Sequence, residues 1–326
     1  MNDTKPPQPG TPLAKLDAWM AASTWHPRLL PFFVYIIGLM LSGFINEALP
    51  VARPIIYTLV VAIVVFLLWR YRKLLPELNV RFHWLAVPSG VGLLFAWVYL
   101  GYWTNQGAAA LQDTPVLGPL ADFFVGGSNA QHTGDIDNRE PHAIQDGLTL
   151  FGPTWFWSTM VLRLLGMTLV VPLFEELFVR SAVLRATIRG KLTWRGILQV
   201  LHDLPGIGEI VSKTEAGKRA DAAPPAFTEQ LTATPVGMIS VFSVAASTVV
   251  FMLSHVPRDW AGCIACGIVW CAMVWWTNRP RKSKGETWET MPPGGRTGLG
   301  PIVWSHGITN ALLWAWTLQV GDWQFL

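Results

Sequence analysis

Residues 153–180 read PTWFWSTMVLRLLGMTLVVPLFEELFVR, and this stretch decides the fold. Residues 153–174 carry a single charge, Arg163, and are long enough to cross the hydrocarbon core of a bilayer as one α-helix. The apolar character continues past Glu175, Glu176 and Arg180, so charged side chains fall at a depth where charge is costly. The stretch therefore predicts a transmembrane helix that carries a polar site.

Six further apolar blocks of similar length occur along the chain, and each predicts a transmembrane helix. The predicted spans are approximately residues 29–48, 51–69, 83–102, 153–175, 235–256, 260–277 and 299–319. The fold class is therefore all-α, a polytopic transmembrane helical bundle of about seven spans, with six to eight compatible with the pattern. Pro172 can kink the fourth span, whose apolar character continues to about Ile188.

The composition agrees with this fold class. The 326 residues are 51% hydrophobic and 14% charged, whereas an average soluble domain is about 25% charged. An ordinary soluble enzyme is therefore excluded. The net charge of +3 is too small to indicate nucleic-acid binding. Cys263, Cys266 and Cys271 lie in one apolar block and are expected to be small buried residues, not a disulfide framework or a zinc site.

The distribution of Lys and Arg predicts the orientation in the membrane. Basic residues collect in the connections 70–73, 189–234 and 278–298, whereas the long connection 104–152 is acidic. Because cytoplasmic loops are enriched in Lys and Arg, the N-terminus is expected in the cytoplasm. Three regions follow: a polar cytoplasmic N-terminus (1–28), N-terminal transmembrane helices with an acidic external loop (29–152), and a transmembrane core (153–326).

The late spans carry three pairs of side chains at i,i+4 spacing, which places each pair on one helix face. These pairs are Glu176 with Arg180, Phe251 with His255, and His306 with Asn310. Glu175 points about 100° away from Glu176 and has no such local partner. A carboxylate, two imidazoles and an amide that converge among apolar helices can assemble a hydrolytic site. The carboxylate would act as general base on water, and N–H donors would stabilise an oxyanion.

The same residues resemble a known family. The ordered strings are EExxxR (Glu175, Glu176, Arg180), FxxxH (Phe251, His255) and HxxxN (His306, Asn310). They resemble the three motifs of the CPBP intramembrane protease family, which contains the CAAX proteases, bacteriocin-processing relatives and type II CAAX prenyl endopeptidases. The resemblance covers about residues 153–326. Residues 163–188 and 303–323 also resemble the CAAX-protease-related branch associated with bacterial exosortase systems. One position departs from the pattern, because Ser181 stands where the family usually has Gly.

The resemblance implies a CAAX-protease-like core and an intramembrane glutamate-type endopeptidase that needs no cofactor. Glu175 would activate water with help from His255, and His306 with Asn310 would form the oxyanion hole. Supporting roles are implied for Glu176, Arg180 and Phe251. The implied partners are a membrane-associated protein or peptide substrate, the lipid bilayer and, by analogy, an exosortase-type sorting partner. The implied location is the bacterial inner membrane. The sequence lacks the HExxH, GxSG and GxGD motifs of the other intramembrane proteases.

Two alternatives stay open at this point. Glu175, His255 and His306 are also a His₂Glu ligand set for catalytic zinc. A non-proteolytic membrane scaffold, or a partner protein of a sorting or envelope system, would use the same polar cavity for binding. One geometric difficulty is visible. With alternating spans, Glu175 and His306 lie towards the cytoplasm, whereas His255, at the end of the fifth span, lies towards the outside. The three meet only if spans tilt, break or enclose a deep cavity.

Overall fold

A computed structural model describes residues 10–45, 52–111, 114–125, 148–189, 193–202, 204, 207–224 and 226–321. These residues form helices and no β-strand, as the sequence predicts. Within them, three helical stretches are long and apolar enough to cross a bilayer: Pro54–Leu74, Ala86–Leu111 and Pro257–Lys284. Two apolar helical stretches are shorter, His26–Ser42 and Val241–Leu253. The count of about seven spans stays a prediction.

The helices are numbered here in chain order. The first five are α1 (Pro12–Ala22), α2 (His26–Ile45), α3 (Ala52–Tyr71), α4 (Ala86–Leu111) and α5 (Gly118–Val125). Next comes α6, a continuous helix over residues 153–186. Four short helices follow: α7 (Trp194–His202), α8 (Ile207–Lys213), α9 (Glu215–Asp221) and α10 (Thr228–Ala233). The last three are α11 (Val241–Leu253), α12 (Trp260–Asn278) and α13 (Gly300–Val320).

Two of the predicted spans have wrong boundaries. The block 235–256 predicts a full span, but α11 begins only after Ser240 and ends at Leu253. Ser240 and Ser243 form a reciprocal capping box that starts the helix there. The block 83–102 is too short, because α4 continues to Leu111 and enters the stretch expected to be a loop. The remainder of that stretch contains α5, and residues 126–147 lie outside the described residues.

Helix α6 contains two π-helical segments, Gly166–Val170 and Leu177–Val183, on either side of an α-helical segment, Val171–Glu176. Pro172, where a kink was considered, lies in the first turn after a π segment, and the helix continues through it. The i→i+5 turns of a π segment are wider than α-helical turns, so residues four apart come closer to one line. Accordingly, four residues at this spacing line one cavity: Arg163, Met167, Val171 and Glu175.

Helix α6 lies at the centre of the bundle, against α2, α3, α11 and α13. On the other side of α13, α4 packs against both α12 and α13. Phe174 and Leu177 of α6 are completely buried in the main apolar core. The three cysteines of α12 are buried too, as predicted. The packing thus places the charged part of α6 at the centre of an apolar bundle, where polar partners come from α6 itself or from a neighbouring helix.

Candidate active site

A cavity of about 370 Å³ lies among α2, α3, α4, α6, α11, α12 and α13. All four residues that the motifs assign to catalysis line it: Glu175, His255, His306 and Asn310. Much of the remaining wall is apolar or aromatic, from Tyr35, Tyr57 and Trp97 among others, and Arg163 and Arg258 add positive charge. The bundle therefore brings together side chains that are up to 135 positions apart in the sequence.

The two adjacent carboxylates of α6 face the two nitrogens of one imidazole ring. Glu175 Oε2 lies 3.7 Å from His306 Nε2, and Glu176 Oε1 lies 2.9 Å from His306 Nδ1. Glu176 Oε1 also lies 3.2 Å from Arg180 Nη1, so the predicted i,i+4 pair is present. Its contact with His306 crosses from α6 to α13, which helix spacing alone does not reveal. These residues, Glu175, Glu176, Arg180 and His306, are called the site cluster below.

Arg180 is fully buried among aromatic rings. Its guanidinium carbon lies 4.5 Å from the ring centroid of Phe251 and 5.1 Å from that of Trp270. Cation–π attraction of this kind stabilises a cation that has lost its water. Phe251, the aromatic residue of the second motif, thus supports the first motif directly.

His255 reaches the cavity because α11 is short. A helix of 13 residues is about 20 Å long, less than the roughly 30 Å of a hydrocarbon core. His255 therefore lies in a turn inside the bundle instead of at its outer end. Its Nδ1 is 2.9 Å from the carbonyl oxygen of Phe251, and its ring centroid is 5.6 Å from that of Trp97. A short helix was not among the ways in which the three groups were expected to meet, but the cavity that all three line was one of them.

Asn310 is held by the first π segment of α6. Its Nδ2 donates to the carbonyl oxygen of Met167 at 2.9 Å. Helices α6 and α13 approach closely here, since a Cβ on Gly307 would lie 2.5 Å from the carbonyl oxygen of Thr168. An amide nitrogen has two N–H donors, so the second is left for a ligand in the cavity that Asn310 lines.

Trp270 and Ser305 also belong to this site, and the sequence did not indicate their contribution. The indole ring of Trp270 stacks on His306, with centroids 4.4 Å apart and planes at 25°. Its Nε1 donates to Ser305 Oγ at 3.0 Å, and Ser305 Oγ is 2.8 Å from Ser89 Oγ. Trp270 could not be told apart from the other tryptophans of an apolar chain, and Ser305 belongs to none of the three motifs.

Several buried polar atoms of the site cluster have no hydrogen-bond partner. They are Glu175 Oε2, Glu176 Oε2, Arg180 Nε and Arg180 Nη2. Buried polar atoms of proteins are bonded in about 90% of cases or more, and an unbonded one costs about 1–3 kcal/mol. Because Glu175 also lines the cavity, its carboxylate is placed to bond a polar group there.

The zinc alternative requires Glu175, His255 and His306 to converge on one point. Glu175 and His306 are close, and Nδ1 of His255 donates to the carbonyl of Phe251, which leaves its Nε2 as the nitrogen that could bind a metal. Among the described residues, no three His, Cys, Asp or Glu side chains are arranged to hold a metal ion. The residues as they stand do not fit a zinc site, and the expectation that the reaction needs no cofactor stays a prediction.

Comparison with known proteins adds one finding. Residues 156–312 match the family described as Rce1-like, type II CAAX prenyl endopeptidase. No curated protein and no solved structure matches the chain. The match spans all three motifs, and together with the apolar helices it supports a multi-pass membrane protein and a membrane protease. The exosortase-type partner, the bacterial inner membrane and the cytoplasmic N-terminus stay predictions. Residues 156–312 thus resemble the Rce1-like type II CAAX prenyl endopeptidase family, and this match supports the family predicted from the motifs.

Proposed function

We propose that the chain is an intramembrane endopeptidase that hydrolyses a peptide bond of a membrane-associated protein, with Glu175 as general base. One observation carries the proposal. The unbonded Oε2 of Glu175 lies in a buried cavity 3.7 Å from His306 Nε2, with His255 and Asn310 on the same walls. A base, donors for an oxyanion and an apolar wall for a substrate are thereby combined in one space.

In the proposed reaction, Glu175 takes a proton from water while the water oxygen bonds to the carbonyl carbon of the peptide. The displaced electron pair moves to the carbonyl oxygen, where the second N–H of Asn310 and Nε2–H of His306 stabilise it. The intermediate then collapses and the C–N bond breaks. The proton held by Glu175 passes to the leaving nitrogen, so the carboxylate is regenerated.

The neighbours of each imidazole suggest different roles for the two histidines. With Nδ1 of His255 donating to the Phe251 carbonyl, its Nε2 carries a lone pair and can accept a hydrogen bond from the attacking water. Nδ1 of His306 donates to Glu176, so its Nε2 donates to an oxyanion only when both nitrogens are protonated.

The walls of the cavity and the family indicate the class of substrate. Tyr35, Leu39, Trp97 and Leu313 offer an apolar surface to an extended peptide segment. The family is described by its action on CAAX sequences with a prenyl group, so we propose a membrane-associated, lipid-modified protein as the substrate. Fluorogenic peptides with a CAAX terminus, with and without the prenyl group, are the probes for this proposal.

The test uses the full chain in proteoliposomes and the variant Glu175→Gln, which removes the base and keeps the shape. We expect the cleavage rate to fall about 10²–10⁴-fold, the usual contribution of a general base. Glu286→Gln, in the 279–299 loop beside Arg296, is the matched control, and we expect it to retain wild-type cleavage. Normal cleavage by Glu175→Gln would overturn the assignment of the base.

Cleavage lost on metal removal and restored by zinc would favour the zinc alternative. No cleavage of any probe by the wild type would favour a scaffold.

A further inference from the structure

A second buried charge cluster lies next to the site cluster, and its centre is outside the family match. It consists of Glu77, in the connection between α3 and α4, with Arg28 of α2 and Ser181 and Arg185 of α6, and is called the anchor cluster below. All four residues are at most 5% exposed, and Glu77 is completely buried. Glu77 and Arg28 come from the N-terminal part of the chain, so this part contributes to the surroundings of the active site.

Both oxygens of the Glu77 carboxylate accept hydrogen bonds. Arg28 donates to it through Nε at 2.6 Å and Nη2 at 2.9 Å, a bidentate pair. Ser181 donates to Oε1, and Arg185 Nη1 lies 3.6 Å away and also donates to Ser181 Oγ at 3.0 Å. Ser181 stands where the family usually has Gly. The departure thus has a structural reason, because Gly has no side-chain donor for Glu77.

The contacts of the Glu77 carboxylate hold α6. Ser181 and Arg185 are themselves i,i+4, and they follow Glu176 and Arg180 directly along the same helix. A packed helix moves as a unit, so contacts at Ser181 and Arg185 fix the rotation and the axial position of Glu176 and Arg180 as well.

The backbone of Glu77 holds α13. Its carbonyl oxygen accepts from the N–H of Leu299, the residue that precedes α13, at 3.0 Å. Gly298 has φ +61°, and a Cβ there would lie 2.5 Å from the same oxygen. His306 follows less than two turns into α13. One residue therefore touches, by its side chain and by its backbone, the two helices whose carboxylates and imidazole face each other.

We propose that Glu77 is a positioning residue that sets α6 against α13 and so fixes the distances from Glu175 and Glu176 to His306. Misplacement of reacting groups by about 1 Å can cost about 100-fold in rate, so small movements between these helices matter. The consequence for catalysis rests on the proposed function. The consequence for the position of the helices does not.

The main test compares Glu77→Gln with a matched control, Asp17→Asn, in the full chain in proteoliposomes. Asp17 also accepts from Arg70 through Nε and Nη2, but its side-chain hydrogen bonds join α1 to α3 and do not involve α6 or α13. For Glu77→Gln we expect amide hydrogen exchange in residues 171–186 and 300–312 to accelerate at least about tenfold. We also expect kcat to fall about 10–100-fold with KM within about twofold. Asp17→Asn is expected to change neither.

A second variant covers the case in which Glu77→Gln does not fold. Ser181→Ala removes one donor and leaves the pair of Glu77 and Arg28 intact. We expect it to lower kcat about 3–10-fold and to be non-additive with Glu77→Gln wherever the double variant folds. If Glu77→Gln folds and its amide hydrogen exchange in both helices equals that of the wild type, the proposal is overturned. If only Ser181→Ala folds, the same result for that variant overturns it. A wild type without peptidase activity would overturn the proposed function instead, and exchange would still decide the position of the helices.

Discussion

The site cluster and the anchor cluster lie next to each other on α6, and both are buried, yet their hydrogen bonding differs. Arg185 of the anchor cluster donates through Nε to Thr234, through Nη1 to Ser181 and through Nη2 to Leu231. Arg180 of the site cluster makes a single hydrogen bond, to Glu176. The carboxylates differ in the same way, since Glu77 uses both oxygens whereas Oε2 of Glu175 has no partner. Saturated bonding is typical of a structural cluster, and unsaturated bonding beside a cavity is typical of a binding site.

The largest expected effect compares two buried arginines. Arg185→Met removes three hydrogen bonds and leaves Glu77 and two carbonyl oxygens short of a donor, so we expect it to lower the free energy of unfolding by about 3–5 kcal/mol. Arg180→Met removes one hydrogen bond, and His306 still contacts Glu176, so we expect about half that loss or less. Unfolding in mixed micelles measures both. Equal losses would contradict the distinction between the clusters.

A smaller effect of opposite sign is expected at Glu175. The variant Glu175→Gln replaces a buried, poorly bonded carboxylate with a neutral amide of the same shape. We expect it to raise the free energy of unfolding by about 1–2 kcal/mol, although it removes cleavage, because active sites commonly trade stability for function. The unfolding midpoint of the purified variant is the measurement. A clear loss of stability would mean that Glu175 is a structural residue.

Acidification is expected to reduce the stability that the anchor cluster provides, because it protonates Glu77. Burial alone would raise the pKa of Glu77, but the guanidinium groups of Arg28 and Arg185 lower it below its ordinary value of 4.5. A lowered folded-state pKa means that this stabilisation is complete above about pH 4.5 and is lost as the pH falls through the folded-state value. We therefore expect the stability difference between wild type and Glu77→Gln to be constant from pH 7 to about pH 4.5 and to shrink below it. A difference that grows on acidification would contradict the sign.

The smallest effect is expected at Trp270, whose ring stacks on His306. Trp270→Phe keeps a ring against His306 but removes the N–H that Ser305 accepts, so we expect a loss of about 1 kcal/mol in stability. We expect kcat to fall by a few-fold only, because the carboxylates still hold the imidazole. Trp270→Leu, which removes the ring, is the comparison variant. A loss of kcat in Trp270→Phe as large as in Glu175→Gln would place Trp270 among the reacting groups.

Local features of the fold were predictable from the sequence. The apolar block 260–277 differs from α12 by one residue at its C-terminal end only, and the block 299–319 differs from α13 by one residue at each end. The i,i+4 spacing predicted the pair of Glu176 and Arg180, because the geometry of a helix alone brings such residues together. The short α11 was missed, although serines at positions 240 and 243 could have been recognised as a capping box.

The sequence by itself determined the helical class, the membrane environment and the residues of the three motifs. These follow from apolar length and from polar side chains at fixed local spacing. The tertiary structure decided that Glu176 meets His306, 130 positions away, that His255 reaches the cavity through a shortened helix, and that Glu77 touches two helices. Such contacts depend on how helices pack against each other, and packing is set by the summed shape of many side chains instead of by any local pattern.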